Sequence, residues 1–248
     1  MGLMFFTDTG LNVPAVTTEQ MIEVDRVAME DTGPNLFQMM ENAGRNLALQ
    51  AIASLGDRWQ QSTVVVLAGS GGNGGGGICA ARHLANRGVN VLLCLSSPDR
   101  LKEVTAWQRK IFQATSGKEV TVEELLDTHP TVDLIIDAVI GYSLQAAPRG
   151  NALKLIQWAN TTVTAVLSLD TPSGVDSTTG DTPGEFIRAR WTMTLALPKT
   201  GLHPDKTGEL VLADIGIPAG AYAWDSLQLD YADPFGDRFR VPLVVKGA

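Results

Sequence analysis

The stretch from Val64 to Leu84 reads VVVLAGSGGNGGGGICAARHL, and it decides the fold of this chain. It begins with a β-branched and apolar run, Val64–Leu67, which is typical of a buried strand. The chain then becomes rich in glycine, interrupted only by Ser70 and Asn73, before Ile78–Leu84 show the apolar face of a helix. A strand, a glycine loop and a helix in this order bring backbone N–H groups and a helix N-terminus close to a phosphate.

The glycines of this stretch predict a loop that binds a ligand. Glycine adopts positive φ without strain and leaves no Cβ between the backbone and a bound molecule. Gly69, Gly71 and Gly74 also match the G-x-G-x-x-G spacing of dinucleotide-binding loops that follow a strand. A flexible turn without a ligand is the alternative, but it explains so many glycines poorly, because glycine is entropically costly where no close approach is needed.

Composition excludes several classes of protein. With 248 residues the chain is long enough for one sizeable core, and a single α/β domain is the natural expectation. Its net charge of −8 disfavours a general nucleic-acid surface, so we expect no nucleic-acid partner. We find no basic and then apolar signal at the N-terminus and no apolar run of membrane-spanning length. We therefore expect a soluble, cytoplasmic protein that does not bind a membrane.

The cysteines and histidines favour neither a disulfide nor a metal site. Cys79 falls on a predicted helix and Cys94 on a predicted strand, where we expect both to be buried as small apolar residues. His83, His129 and His203 are scattered along the chain without the spacing of metal ligands.

Hydrophobic periodicity predicts two N-terminal helices and then an alternation of strands and helices. Thr17 and Gln20 suggest a capping box before the first helix, and the second follows Pro34 and stops at Gly56. The predicted strands are Thr63–Leu67, Val89–Leu95, Val132–Ile140, Thr164–Leu169, Trp191–Leu197 and Glu209–Ala213. The later helices are predicted at Ile78–Ala85, Arg100–Ala114 and Ala152–Ala159. The central strands are continuously apolar, which is typical of a parallel sheet covered on both faces.

Polar residues follow several of these strands at the point where the strands end. Asp137, Asp170 and Lys199 follow three different strands, and Asn73 lies in the glycine stretch after the first one. In such sheets ligands bind beyond the carboxyl ends of the strands. A single Asp after a strand is often only a turn former or a helix cap. Two carboxylates and a lysine at one edge instead favour a functional site.

Seven segments of the chain, taken in order, resemble the YjeF N-terminal domain, a family best known for NAD(P)H-hydrate epimerase activity. They are TTEQMIEVDRVAME, MMENAGR, the glycine stretch with AARHL, DAVIGYSLQAAPRG, LDTPSGVDSTTG, LALPKTGL and GELVLADIGIP. The resemblance covers about residues 17–218 and implies an α/β, three-layer Rossmann-like fold with a mostly parallel central sheet. We treat residues 1–248 as one such domain with a less regular C-terminal tail, 219–248. In this tail Arg238–Val245 is either an edge strand interrupted by Pro242 or a disordered end.

The resemblance also implies the reaction. The substrate would be a damaged, hydrated form of NADH or NADPH that carries a hydroxyl at C6 of the reduced nicotinamide ring. Enzymes of this family interconvert its R and S epimers, so that a dehydratase can repair one of them. The chain is too short to contain that dehydratase, so we expect it on a separate protein. A homodimer is a further expectation.

Residue by residue, the resemblance implies three groups of site residues. The potassium ligands would be Asn73, Asp137 and Ser173, whose oxygens suit a hard cation. The substrate-binding residues would be Gly72, Asn73, Gly74, Gly75, Gly76, Gly141, Tyr142, Ser143, Leu144, Gln145, Ala146, Ala147 and Asp170. The catalytic residues would be Asp170 and Lys199. Asp170 would either stabilise a cationic intermediate or move a proton with help from Lys199, and the sequence leaves both roles open.

Two residues depart from the family pattern and keep alternatives open. The family loop usually reads G-x-G-N-N-G-G-D-G, whereas this chain has Gly72 for the first asparagine and Gly76 for the aspartate. A non-catalytic nucleotide-binding or scaffold protein on the same fold is therefore the second hypothesis. An ordinary NAD-dependent dehydrogenase ranks last, because that fold expects an acid at the end of the second strand, and here the only acid, Asp99, follows a proline.

Overall fold

The computed structural model describes residues 2–247. The helices are α1 Thr18–Arg26, α2 Leu36–Leu55, α3 Gly72–Ala85, α4 Glu103–Phe112, α5 Val122–Thr128, α6 Gly150–Thr161, α7 Pro204–Thr207 and α8 Ala219–Tyr222. The strands are β1 Met4–Thr7, β2 Asn12–Val13, β3 Thr63–Ala68, β4 Asn90–Leu95, β5 Lys118–Val120, β6 Leu134–Ala138, β7 Val166–Leu169, β8 Trp191–Leu195, β9 Glu209–Ala213 and β10 Arg240–Lys246. A π-helix, Val27–Thr32, continues α1, and short 3-10 helices occupy Gly56–Gln61 and Pro98–Arg100.

The strands within residues 2–247 form one ten-stranded sheet in the order β2-β1-β10-β9-β8-β7-β6-β3-β4-β5. Neighbours from β9 to β5 in this order are parallel, whereas β10, β1 and β2 extend the sheet by antiparallel pairing. The direction in which the chain adds strands reverses at β3, which lies between β4 and β6. This topology places a ligand in the crevice beyond the carboxyl ends of β3 and β6.

Strand β3 shows why the sheet needs a helical layer on each face. Val64 and Val66 belong to a core cluster with residues of α2 and α3, whereas Val65 and Leu67 belong to another with residues of α5 and α6. Alternate residues of a strand point to opposite faces, so β3 is buried on both. This arrangement confirms the predicted α/β fold with three layers and a mostly parallel central sheet.

Five of the glycines after β3, Gly72 and Gly74–Gly77, are helical, and the prediction of a glycine loop that lasts until a helix starting at Ile78 is wrong. Helix α3 already starts at Gly72, and no glycine between positions 69 and 77, all of them described, has a positive φ. A Cβ at Gly74 would lie 1.9 Å from the carbonyl oxygen of Gly69, and one at Gly77 would lie 2.4 Å from the Cβ of Ala138. Glycine is needed here because the backbone of α3 packs directly against the ends of β3 and β6.

Side-chain caps explain where the first two helices begin. The predicted capping box is confirmed, since Thr17 and Gln20 each accept a hydrogen bond from the other's backbone N–H. Asn35 and Gln38 form an equivalent box before α2, which the sequence analysis did not identify, and α2 ends at Gly56 as predicted. No helix between residues 2 and 247 has both the length and the apolar character to cross a membrane.

The two ends of the chain meet inside the sheet. Strand β10 lies between β9 and β1, so the strand predicted near Arg238–Val245 exists but is an interior strand rather than an edge strand. Pairing with β1 ends at Leu243, and Pro242 has a partner only in β9, which is why a proline is tolerated there. Strands β1 and β2 were not predicted, because four and two residues are too short to show a period.

Two alanine substitutions test the close packing of α3. We expect Gly74→Ala to lower the free energy of unfolding by about 1–3 kcal/mol or more, because its Cβ would overlap a backbone carbonyl. Gly72→Ala is the matched control, since a Cβ there meets no atom within 4 Å, and it should stabilise the protein by roughly 0.4–1 kcal/mol. Urea denaturation measures both values, and equal stability of the two variants would contradict the packing argument.

Candidate active site

The start of α3 lines the crevice between the ends of β3 and β6. The N–H of Gly69 donates to the carbonyl oxygen of Ala138 at 3.0 Å and holds the two strand ends together. One end of the Asn73 amide lies 3.2 Å from the carbonyl oxygen of Leu169, and its other end lies 3.3 Å from the backbone nitrogen of Gly141. Asn73 therefore connects α3 to the end of β7 and to the segment that follows β6.

Asp170 and Lys199 form a buried ion pair at the next strand ends. The Nζ of Lys199 donates to Oδ1 of Asp170, and the two residues are 0% and 3% exposed, respectively. Nζ also donates to the carbonyl oxygen of Leu195 at 2.9 Å and to Oγ1 of Thr194 at 3.3 Å. The structure thus brings together the two residues that were predicted to be catalytic. Oδ2 of Asp170 accepts no hydrogen bond from residues 2–247, which leaves this oxygen for a ligand.

The backbone is strained on both sides of this ion pair. Asp170 has a φ of 68° and Ala196 a φ of 61°, in the left-handed region that non-glycine residues seldom adopt. The N–H of Asp170 donates to Met193 at 2.7 Å and that of Ala196 donates to Ala213 at 3.1 Å, so neighbouring strands hold both residues in place. Strain that the surroundings enforce is concentrated at functional sites. It supports the assignment of this edge of the sheet as the active site.

The segment before α1 fixes the backbone of Lys199. The N–H of Val16 donates to the carbonyl oxygen of Pro198 at 2.9 Å, and the N–H of Thr200 donates to that of Val16 at 3.0 Å. Val16 itself is fully buried. The N-terminal segment is therefore part of the site's framework, although its own side chains were not predicted to take part.

Asp137 is a second buried carboxylate, and hydrogen-bond donors surround it. Oδ2 accepts from the N–H of Ser173 at 2.9 Å and from Oγ of Ser168 at 2.8 Å, and Oδ1 accepts from Oγ of Ser173 at 2.5 Å. Burial raises the pKa of Asp137, and these donors lower it in part. Two of the three predicted potassium ligands, Asp137 and Ser173, are thus in direct contact.

The third predicted ligand, Asn73, reaches the same region from α3 but makes no hydrogen bond with Asp137 or Ser173. Asn73 and Ser173 instead contact neighbouring residues of the segment after β6. The N–H of Ile140 donates to Oγ of Ser173 at 2.8 Å, and the Asn73 amide lies against Gly141. With its nitrogen towards Leu169, the Asn73 amide is hydrogen-bonded at both ends.

The alternative orientation of Asn73 would be that of a cation ligand. Its oxygen would then face the carbonyl oxygen of Leu169 at 3.2 Å, and two oxygens in contact need a positive charge beside them. Nearby in the chain, the hydroxyl of Thr171 is buried without a hydrogen-bond partner among residues 2–247. Carboxylate, amide, hydroxyl and carbonyl oxygens are the donor set of a hard cation, so these residues fit potassium.

The residues predicted to bind substrate occupy different environments. Within α3, Gly72 is exposed, Gly75 faces Met40, and a Cβ at Gly76 would lie 2.8 Å from Cδ2 of Leu169. Gly76 therefore faces the end of β7, whereas Gly75 faces away from it. After β6, Gly141 is buried and Tyr142 is half-buried over Lys199, but the loop then turns to the surface. Its remaining members are Ser143, Leu144, Gln145, Ala146 and Ala147, of which Ser143, Gln145 and Ala146 are exposed.

Asp25 was not predicted as a site residue, but the structure places it beside the site. Its Oδ2 accepts a hydrogen bond of 2.6 Å from the phenol of Tyr142. Burial raises the pKa of Asp25, and the charges of Lys199 and Asp170 also act on it. A signal was present in the sequence, because Asp25 lies four residues after Met21 and three before Ala28, on the apolar face of its helix.

A second polar cluster joins α2 to α3. Glu41 accepts hydrogen bonds from Arg82 at 2.5 Å and from Nε2 of His83 at 2.8 Å, and the Sγ of Cys79 lies 3.4 Å from the same carboxylate. Sequence spacing did not suggest that Cys79 and His83 would meet, although they are one helical turn apart. Nη2 of Arg82 contacts all three of the other residues and supplies the positive charge of the cluster.

The chain is similar to a family model and to several named proteins. A family model described as "YjeF-related protein N-terminus" matches residues 36–201. The NAD(P)H-hydrate epimerase of Dehalogenimonas lykanthroporepellens is 48% identical over 235 residues, which are 95% of this chain and 95% of that protein. The bifunctional NAD(P)H-hydrate repair enzyme Nnr of Hyperthermus butylicus is 37% identical over 84% of this chain, but the match spans only 39% of that enzyme.

Two further similarities extend the comparison. Enhancer of mRNA-decapping protein 3 from Macaca fascicularis is 33% identical over 96% of this chain and 46% of that protein. The crystal structure of a yeast protein superposes with a TM-score of 0.73 over 90% of this chain and 98% of that one, at 23% identity, which supports the fold. Because the family model matches more than half of its residues, this protein belongs to the YjeF-related protein N-terminus family.

Proposed function

We propose that this protein is an NAD(P)H-hydrate epimerase, which interconverts the R and S forms of hydrated NADH and NADPH. The observation that carries the proposal is the buried Asp170–Lys199 pair at the ligand-binding edge of the sheet. The identity of 48% with an epimerase over 95% of both chains supports it.

The reaction asks for charge stabilisation more than for strong acids or bases. Hydroxide leaves C6 of the nicotinamide ring with the electron pair of the C–O bond, while the lone pair of the ring nitrogen forms a C=N bond. The ring is then a cation, and hydroxide returns to its opposite face to restore a neutral substrate of inverted configuration. A carboxylate held near the ring stabilises this cation in the transition states on both sides of it.

Asp170 is the carboxylate placed for this role. Its Oδ1 is occupied by Lys199, by the N–H of Leu195 at 3.3 Å and by Thr194, whereas its Oδ2 has no partner among residues 2–247. We assign Oδ2 to the substrate ring and Lys199 to the orientation of the carboxylate. Little reorganisation is then needed as charge develops, because the protein already fixes the geometry.

The pyrophosphate of the substrate would lie at the start of α3. The first N–H groups of a helix have no partner inside it and attract anions, and here Gly72 and Gly74 carry no side chain that would screen them. Gly72 is exposed at this end, which leaves room for a phosphate. The predicted substrate contacts of Gly141–Ala147 are part of the same proposal.

Potassium is the ion that we propose for the oxygens of Asn73, Asp137 and Ser173. It would supply the positive charge that the buried Asp137 lacks, since its partners there are neutral donors. The proposal further includes a cytoplasmic location, where reduced nicotinamide nucleotides are used, and a dehydratase that consumes the product. The expected homodimer stays a prediction.

A nucleotide-binding or scaffold role without turnover is the second candidate, and the surroundings of Gly76 favour it. A Cβ at position 76 would lie 2.8 Å from Cδ2 of Leu169, so an aspartate there requires this side chain to move. A similarity of 33% identity to an enhancer of mRNA decapping shows that the sequence pattern extends to proteins not named as epimerases. The activity of the unmodified protein decides between the candidates.

Removal of the charge of Asp170 should abolish most of the activity. Asp170→Asn keeps the shape and suits a positive φ, since Asn tolerates this conformation well. We expect the rate of epimerisation to fall roughly 10²–10³-fold, the scale of one electrostatic group. Conversion of R-epimer to S-epimer, followed by chromatography against an enzyme-free control, gives the rate.

A double variant separates this loss from a loss of stability. Asp170→Asn leaves the buried ammonium of Lys199 without its counter-charge, which costs about 3–5 kcal/mol in other buried pairs. Asp170→Asn with Lys199→Met removes both charges, so it should be more stable than the single variant and equally inactive. Undiminished epimerisation by either variant would remove Asp170 from the mechanism.

Potassium should stabilise the protein if the proposed ligands hold it. At ten times its Kd, the ion adds about 1.4 kcal/mol to the free energy of unfolding. For a chain of this size, that corresponds to a rise of about 3–6 °C in Tm relative to tetramethylammonium at equal ionic strength. Asn73→Ala should lose most of this difference. Identical melting curves of the unsubstituted protein in both salts would argue against the site.

The contact with Leu169 predicts that an aspartate at position 76 needs a smaller side chain at position 169. Gly76→Asp alone should destabilise the protein, because its Cβ would meet Leu169 at 2.8 Å. Gly76→Asp with Leu169→Val should fold and epimerise faster than the Leu169→Val control, since a carboxylate near the helix start can accept a hydrogen bond from the substrate. A folded double variant no faster than this control would show that the missing aspartate is irrelevant.

A further inference from the structure

Tyr142 is tied to the protein at both its backbone and its side chain. Its carbonyl oxygen accepts hydrogen bonds from Oγ of Ser177 at 3.0 Å and from Oγ1 of Thr18 at 3.4 Å. Its phenol donates to Asp25 at 2.6 Å. Thr18 and Asp25 are both in α1, so one helix holds the residue at two points. This attachment contrasts with the next residues of the loop, since Ser143 and Gln145 are exposed.

The ring of Tyr142 lies next to the lysine of the ion pair. Nζ of Lys199 lies 6.0 Å from the centre of this ring, within the range of a weak cation–π contact. Lys199 and Asp170 remain almost inaccessible to solvent although the loop that follows Tyr142 is at the surface. The orientation of the ring depends on the phenol, and the phenol has one hydrogen-bond partner among residues 2–247, which is Asp25.

Asp25 is an unusual choice for a merely structural partner. A carboxylate that is largely buried costs free energy unless its hydrogen bonds repay the loss of water. An amide or a hydroxyl would accept the same bond from the phenol without a buried charge. The phenol that it binds belongs to a ring next to Lys199, so this carboxylate is connected to the site and not only to α1.

We propose that Asp25 is a positioning residue of the active site, which acts by fixing the phenol of Tyr142. The fixed ring stays next to Lys199 and anchors the start of the Gly141–Ala147 segment, which we propose to contact the substrate. This inference rests on the proposed epimerase function for its kinetic consequence. The anchoring of the loop itself does not depend on that function.

Four variants and one control test the proposal in the chain of 248 residues. Asp25→Ala and Tyr142→Phe should each lower kcat/KM about tenfold, which corresponds to ~1.4 kcal/mol. The double variant should be no worse than the worse single one, because both substitutions remove the same interaction. Asp25→Asn should keep most of the activity, since its amide oxygen still accepts from the phenol. Glu19→Ala is the control, since it removes an exposed carboxylate from the same helix.

Three kinetic results would overturn the proposal. One is a kcat/KM of Asp25→Ala within about twofold of that of the unsubstituted protein. A change this small is less than the loss of one hydrogen bond should cause. Another is a double variant whose loss is the product of the two single losses. A third is a loss in Asp25→Ala that follows only a lower fraction of folded protein, with unchanged kcat and KM per folded molecule.

A second measurement keeps the proposal testable if the unsubstituted protein has no epimerase activity. Trypsin cleaves after the exposed Arg149, which ends the loop that starts at Gly141. If Asp25 anchors the loop, cleavage at Arg149 should be several-fold faster in Asp25→Ala and in Tyr142→Phe than in Asp25→Asn or Glu19→Ala. Equal cleavage rates in all four variants would overturn the anchoring, whereas absence of activity alone would overturn only the proposed function.

Discussion

The contact between Asp170 and Lys199 is the constraint on which the rest of the site depends. Both charges are removed from water, and a buried ion pair is tolerated only if its geometry is good and its remaining hydrogen-bonding atoms are satisfied. The structure meets this condition at Nζ of Lys199 and at Oδ1 of Asp170, with the carbonyl and N–H of Leu195 and the hydroxyl of Thr194, and it leaves Oδ2 of Asp170 without a partner among residues 2–247. The left-handed conformation of Asp170 and Ala196 is a further cost of this arrangement.

A second buried carboxylate lies in the neighbouring strand, and its charge is compensated differently. Asp137 has no lysine or arginine among its hydrogen-bond partners, which are hydroxyl and amide donors of Ser168, Ser173 and Val139. Neutral donors compensate burial only in part, so the pKa of Asp137 is still raised. One edge of the sheet thus holds a carboxylate with a resident counter-charge and another that a bound cation would complete.

The features that could be predicted from the sequence are those that depend on local hydrophobic patterns and on the order of the strands. Continuous apolar strands and the carboxyl-end rule were sufficient to bring Asp170 and Lys199 together, because parallel strands end at the same edge. The glycine stretch was correctly placed after β3, but its conformation was wrong. Positive φ and close packing both select glycine, and only the position of Ala138 and of the Gly69 carbonyl shows that packing is the reason.

Other features depend on contacts that no local pattern contains. Strand β10 is interior because β1, from the opposite end of the chain, pairs with it. Asp25 reaches the site through a residue 117 positions away in the sequence, and Glu41 reaches Arg82 across two helices. A charged residue on the apolar face of a helix is the kind of local conflict that marks such contacts, because it needs a distant partner to be stable.

Helix α3 connects the crevice at the strand ends with the polar cluster around Glu41. Its first half has few side chains that could fix its orientation. Gly74, Gly75, Gly76 and Gly77 allow the helix backbone to pack closely against its neighbours. Its second half carries Arg82 and His83, which bind Glu41 of α2. The cluster around Glu41 and the buried Ala81 and Leu84 hold this half in place, and the same helix carries Asn73 at the crevice. The phosphate site that we propose at one end of α3 would therefore depend on the packing of the other end.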